Sequence, residues 1–97
     1  MKLVIVPAAL VELQDAAAFY TVQANAELGR AFVAEFERVV NLVFSAPQLG
    51  AVFRGARRRY FLRRFPYSVI YQVAPEELRV VALAHQRRRP AYWAGRK

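Results

Sequence analysis

RRRYFLRRFPYSVIYQVAPEELRVVALAH, residues 57–85, decides how this chain folds. Five arginines lie between positions 57 and 64, and no further charge follows until Glu76. From Tyr67 the pattern has a period of two. Tyr67, Val69, Tyr71 and Val73 share one side, and Ser68, Ile70 and Gln72 share the other. Successive strand side chains point to opposite faces, so this period predicts a β-strand. Pro66 has no N–H to donate, so Phe65-Pro66 breaks the ladder between that strand and a cationic one over 58–65. Ala74-Pro75-Glu76-Glu77 reads as a hairpin loop. Beyond it, Leu78, Val80, Ala82 and Ala84 alternate with Arg79, Val81, Leu83 and His85. Both sets are largely apolar, which predicts a central strand and not an edge.

Upstream the period becomes helical. After a brief strand from Lys2 to Val6, Pro7 suits a helix start, because the first helical N–H has no partner anyway. Leu10, Leu13, Ala17 and Tyr20 recur at three- and four-residue steps to about Val22, with Glu12 and Asp15 on the other side. Asn25 is a fitting N-cap for a second helix, and Glu27 suits its first turn. Leu28, Phe32, Phe36, Val39 and Val43 trace its apolar face until Ala46-Pro47 ends it after Ser45. A short strand could follow at 51–54, with Gly55 turning the chain. The expected architecture is one α+β domain over residues 1–97. A short N-terminal strand and a helical hairpin pack on one face of a three- to four-stranded antiparallel twisted sheet. The other face is expected to be partly free. Arg59 and Arg63 would point to it while Tyr60 and Leu62 pack inward, unless the register slips by one residue, which reverses the assignment.

Composition narrows the chemistry. Of 97 residues, 57% are hydrophobic, enough for a packed core. The absence of cysteine excludes disulfides and thiolate metal sites, and a single histidine argues against imidazole-built metal sites. No metal or cofactor is therefore expected. No apolar run reaches membrane-spanning length and no leader pattern is visible, so the expectation is a soluble, cytoplasmic protein with no membrane partner. The net charge of +8 is uneven. Residues 1–48 carry three basic and five acidic side chains, a net of −2, whereas residues 49–97 carry twelve basic and two acidic, a net of +10. The excess is either a solvated face or a surface for an anionic partner, and its arginine content favours the surface, since guanidinium grips phosphate and carboxylate in a fork.

No phosphate loop or serine triad is present. His85 has a side chain suited to proton transfer near neutrality and is followed by Gln86 and three arginines, so it could serve an RNA 2′-hydroxyl. The plainer and preferred reading is that its ring bonds the backbone and locks the tail to the sheet. Arg57, Arg58, Arg59, Arg63, Arg64, Arg87, Arg88 and Arg89 come from two strand ends that could merge into one basic patch. Tyr92 and Trp93 either anchor the tail or stack on a ligand, and anchoring is preferred.

FPYSVIY (65–71) and AHQRRRPAYW (84–93), behind two helices, resemble the RelE/ParE superfamily of type II toxin–antitoxin toxins. The ending His-x-x-Arg-x-Pro-x-x-Trp is similar to that of the ParE-like, plasmid-stabilisation branch. The resemblance implies a toxin neutralised by a cognate antitoxin, whose acidic, amphipathic C-terminal segment wraps it in a hetero-oligomer. In the ParE-like branch the target is DNA gyrase, inhibited by binding. The alternative is a RelE-like ribosome-dependent cleavage of messenger RNA, and whether the chain is an enzyme stays open. In that case Arg59, Arg63, Arg87, His85 and Tyr92 would form the catalytic set. Arg57, Arg58, Arg64, Arg88, Arg89 and Trp93 are the residues expected to meet antitoxin or target. The sheet region lacks lysine, and a His-Gln pair precedes Arg87, both departures from the nuclease pattern.

Overall fold

The computed structural model describes residues 1–89 and 91–96; Pro90, part of the C-terminal motif, and Lys97 lie outside the described residues. The elements run β1 (Lys2–Ile5), α1 (Pro7–Gln23), α2 (Ala26–Ser45), β2 (Ala51–Val52), β3 (Arg57–Phe61), β4 (Tyr67–Val73) and β5 (Glu77–His85). They form an α+β domain in which the two helices cover one face of the sheet. The sheet has five strands in the order β1-β5-β4-β3-β2, not three to four. It is also mixed, because β1 pairs parallel to β5, Lys2 opposite Glu77 and Ile5 opposite Val80. The helical hairpin makes this possible, since it carries the chain back from the end of β1 before the sheet resumes. β5 thereby gains a neighbour on each side, in keeping with its two apolar faces.

Why these segments fold this way is clearest in α2. Asn25 caps it, its Oδ1 accepting from the Leu28 N–H at 2.8 Å. Phe32, Phe36, Val39 and Val43 are buried as their spacing predicts. α1 departs from expectation only at Leu10. Its buried residues are Ala9 and Ala16, with Leu13, Ala17 and Tyr20 packed beside them, while Leu10 and Phe19 are exposed. Small residues let α1 come close to its neighbours. At Gly29 of α2 a Cβ would stand 2.0 Å from Thr21 Oγ1 and 2.9 Å from the Ala17 carbonyl oxygen.

The other departure lies in β5. Pairing with β4 is regular from Tyr67 to Ile70 and again from Tyr71 to Val73, but Ile70 faces Ala82 while Tyr71 faces Val80. Val81 is thus an extra residue, a β-bulge that rotates the strand. The simple alternation expected for 78–85 does not survive it. Leu78, Val80 and Leu83 join the core under the helices, whereas Val81, Ala82 and Ala84 face the opposite side. There Ile70 and Trp93 complete a second, smaller core, with Phe53 and Tyr92 against it. The C-terminal tail lies across this face and covers part of it. Among the described residues, no helix is long and apolar enough to cross a membrane.

Candidate functional site

Alternation in β3 divides the arginine run. Tyr60 packs against the helix-side core, so Arg58 shares that side and Arg57, Arg59 and Phe61 take the other. Arg58 Nη1 donates to the Gly50 carbonyl at 2.7 Å and so fixes the loop after α2. Arg57 works as a clamp on the tail. Its Nη1 donates to the Trp93 carbonyl at 2.9 Å, its Nη2 to the Arg96 carbonyl, and its Nε to Gln72 Oε1 at 3.1 Å. Its guanidinium also lies 5.4 Å from the Trp93 ring centroid.

Arg59 is different. It packs against two rings, 4.0 Å from the Phe53 centroid and 4.7 Å from that of Phe61. Its Nε is buried without a hydrogen-bond partner. It lines a concavity of about 390 Å³ together with Arg88, Arg89, His85 and Gln86, over an apolar floor of Ile70, Ala84 and Trp93. Arginines from β3 and the tail thus line one concavity with no carboxylate among its described lining residues, although Arg88 also lines an adjoining cleft with Glu12 and Asp15.

The remaining candidates are placed elsewhere. Arg63, Arg64 and Arg87 are exposed and do not line the concavity. The Arg63 backbone N–H donates to Glu35 Oε2 at 2.7 Å, which ties the β3–β4 turn to α2. Arg64, at φ 70°, has its guanidinium 5.5 Å from the Phe65 centroid. The Arg87 N–H donates to His85 Nδ1 at 3.0 Å, a local bond within the turn after β5. The His85 ring also meets Tyr67 edge-on at 4.9 Å. Trp93 is only 3% exposed, packed beneath the tail.

Glu12 was not foreseen, nor were Phe53 and Arg96. One carboxylate of α1 gathers three parts of the molecule. It accepts from the Leu83 N–H at 3.1 Å, where β5 has run past the end of β1. It accepts the Tyr92 hydroxyl, and it pairs with Arg96 Nη1 at 2.8 Å. The only signal in the sequence is an acid set between Val11 and Leu13 of α1.

Burial, and then the Glu12 carboxylate, push the Tyr92 phenol well above its usual 10.0, although Arg88 and Arg96 pull the other way. Burial raises Tyr20, Tyr67 and Tyr71 as well. Each of these folded phenols keeps its proton where the unfolded one releases it. Stability is therefore expected to be unaffected by them below pH 10.0 and to fall as pH rises above it. Thermal melts on either side of that pH check this, and a midpoint that rises through it would contradict the expectation.

A two-helix cover on a mixed sheet carries, on the sheet's other face, a cationic concavity beside a clamped tail. A family model described as "ParE toxin of type II toxin-antitoxin system, parDE" matches residues 3–90, and the chain belongs to that family. A solved structure titled "Chromosomal ParDE TA system from P. aeruginosa" has the same fold, with a TM-score of 0.78, 20% identity, and coverage of 88% of this chain and 95% of that one. No curated protein matches in sequence. The chain is thus a ParE-family type II toxin.

Proposed function

We propose that this toxin acts by binding, that DNA gyrase in the cytoplasm is its target, and that a cognate antitoxin with an acidic, amphipathic C-terminal segment neutralises it in a hetero-oligomer. Carried on a plasmid, such a pair would stabilise inheritance. The condition of Tyr92 is the observation that supports binding over cleavage of messenger RNA. A nuclease needs a group poised to move a proton near neutral pH. The Tyr92 hydroxyl instead donates to Glu12, and its phenolate is strongly disfavoured. Arg63 and Arg87 stand away from the concavity that Arg59, His85 and Tyr92 line, which leaves the nuclease set only partly assembled. In this reading Arg59, Arg88 and Arg89 meet the partner directly. Arg57 and Trp93 hold the tail that carries two of those three, whereas Arg58 on the helix side and Arg64 beside the start of α2 stand away from it.

Inducing the protein in cells tests the reading. DNA synthesis is expected to stop first, with a DNA-damage response and intact messages, and Tyr92→Phe is expected to keep the killing. If translation stops first and messages are cut, the protein is a nuclease and the reading is wrong.

A further inference from the structure

We infer that a second basic surface, an arginine ridge at the end of the sheet where the β3–β4 turn meets the start of the tail, holds the phosphate backbone of duplex DNA. The topology builds this ridge from two separate segments. Tyr67 pairs with His85 at the end of the β4–β5 ladder, and beyond it the Gln86 N–H donates to the Pro66 carbonyl at 2.8 Å. Residues 63–66 of the turn are thereby fastened beside residues 86–89 of the tail. Arg63, Arg64, Arg87, Arg88 and Arg89 are all exposed there. Arg63, Arg64 and Arg87 form the outer part, outside the concavity, and Arg88 and Arg89 lead back to it.

Three observations carry it. The first is charge. None of the five guanidinium groups forms an ion pair with a described residue. Glu35 accepts from the Arg63 N–H, but its charge is met by Arg38 at 2.7 Å. Glu27 lines a cleft with Arg64, and Asp15 lines one with Arg88, as does Glu12, which is paired with Arg96. Five arginines thus stand against two acids, Glu27 and Asp15, that pair with no described residue, and such an excess draws an anionic partner from outside. The second observation is what the ridge lacks. Within residues 62–66 and 86–89 no large hydrophobic side chain is exposed, and Leu62 and Phe65 are buried. Phe61, just before the turn, already carries Arg59 at 4.7 Å. A protein interface needs an apolar centre, and a nucleic-acid single strand needs open rings on which its bases stack. A duplex backbone needs neither, only cations placed along its phosphates. The third is the backbone of Arg64. Its φ of 70° lies in the left-handed region, where glycine or asparagine costs less. An arginine kept in that conformation at an exposed turn marks a position held for its charge.

The test uses the full chain and three fluorescein-labelled probes: a short DNA duplex, one of its strands alone, and a polyglutamate peptide. The duplex is expected to bind most tightly, because its phosphates are the most closely spaced. With the three outer arginines each neutralising a phosphate, duplex affinity should fall about fortyfold between about 50 and about 200 mM salt. Arg63→Gln, Arg64→Gln and Arg87→Gln are each expected to weaken duplex binding about fivefold at low salt and to lower the salt slope by about one. Arg59→Gln, in the concavity, is expected to change it less than about twofold. Matching thermal melts of the variants show that the fold is kept. Duplex binding that depends on Arg59 and is indifferent to the three outer arginines would overturn the inference, as would no duplex binding at low salt. Tighter binding of the single strand would overturn it in favour of a stacking site, and tighter binding of polyglutamate in favour of an acidic protein. The assay contains no gyrase, so failure here is separable from failure of the functional reading, which depends on what stops first in the cell.

Discussion

Phe32→Ala is expected to cost about 3–5 kcal/mol, the range for emptying a buried phenylalanine site. Phe32 is fully buried, and three rings close around it: Phe65 and Tyr67 edge-on at 5.0 Å and Tyr20 at 5.3 Å. These come from the β3–β4 turn, β4 and α1, so the ring is where α1, α2 and the sheet meet. Two effects add. Apolar contact is lost on every side of the vacated ring, and favourable edge-to-face pairs worth about 0.5–1.5 kcal/mol each disappear. The neighbours cannot simply collapse, because Tyr67 is held in the β4–β5 ladder and Phe65 by the turn, whose ends are joined by the Leu62 N–H to Tyr67 carbonyl bond at 2.9 Å. A domain of this size has only about 5–15 kcal/mol in total, so the variant should sit near the limit of folding. Denaturant melts measure it, and a loss under about 1 kcal/mol would mean that the aromatic cluster is not what joins the two layers.

Glu12→Ala should have the second largest effect, about 2–3 kcal/mol, the scale of removing hydrogen bonds to a charged group and leaving their donors unpaired. The Arg96–Glu12 pair is partly shielded, with side-chain exposures of 24% and 14%, so it exceeds the small value of a surface ion pair. The loss should also be local in a telling way. The tail is held by Arg57 at its carbonyls and by Glu12 at Tyr92 and Arg96. With Glu12 gone, amide exchange should quicken at Tyr92, Ala94 and Arg96 far more than in α2. Unchanged exchange in the tail, with a melt shifted by less than about 0.5 kcal/mol, would remove Glu12 from this role.

What the sequence made legible follows from where its patterns were redundant. In α2, cap, apolar spacing and proline stop agree, and the boundaries follow. The alternation of β4 and the two apolar faces of β5 also carried through. Three things were hidden. β1 pairs with a strand at the far end of the chain, and four residues have no pattern that names a parallel partner. The bulge at Val81 sits in a stretch apolar on both sides, where a change of facing leaves no trace in hydrophobicity. The third is the division of labour among the arginines. Arg57, Arg58 and Arg59 are chemically identical neighbours; the strand's facing makes Arg58 a brace for a loop, and position along the other face makes Arg57 a clamp on the tail and Arg59 a lining of the concavity.

The bulge has a consequence for how this chain tolerates changes in length. Elsewhere in β5, losing a residue would turn every later side chain over and push alanine and histidine into the wrong environments. At Val81 the opposite holds: without it, Val80 and Ala82 become consecutive opposite Tyr71 and Ile70, and each remaining neighbour keeps its side. Relatives one residue shorter in this strand can therefore share the architecture, provided the gap falls there.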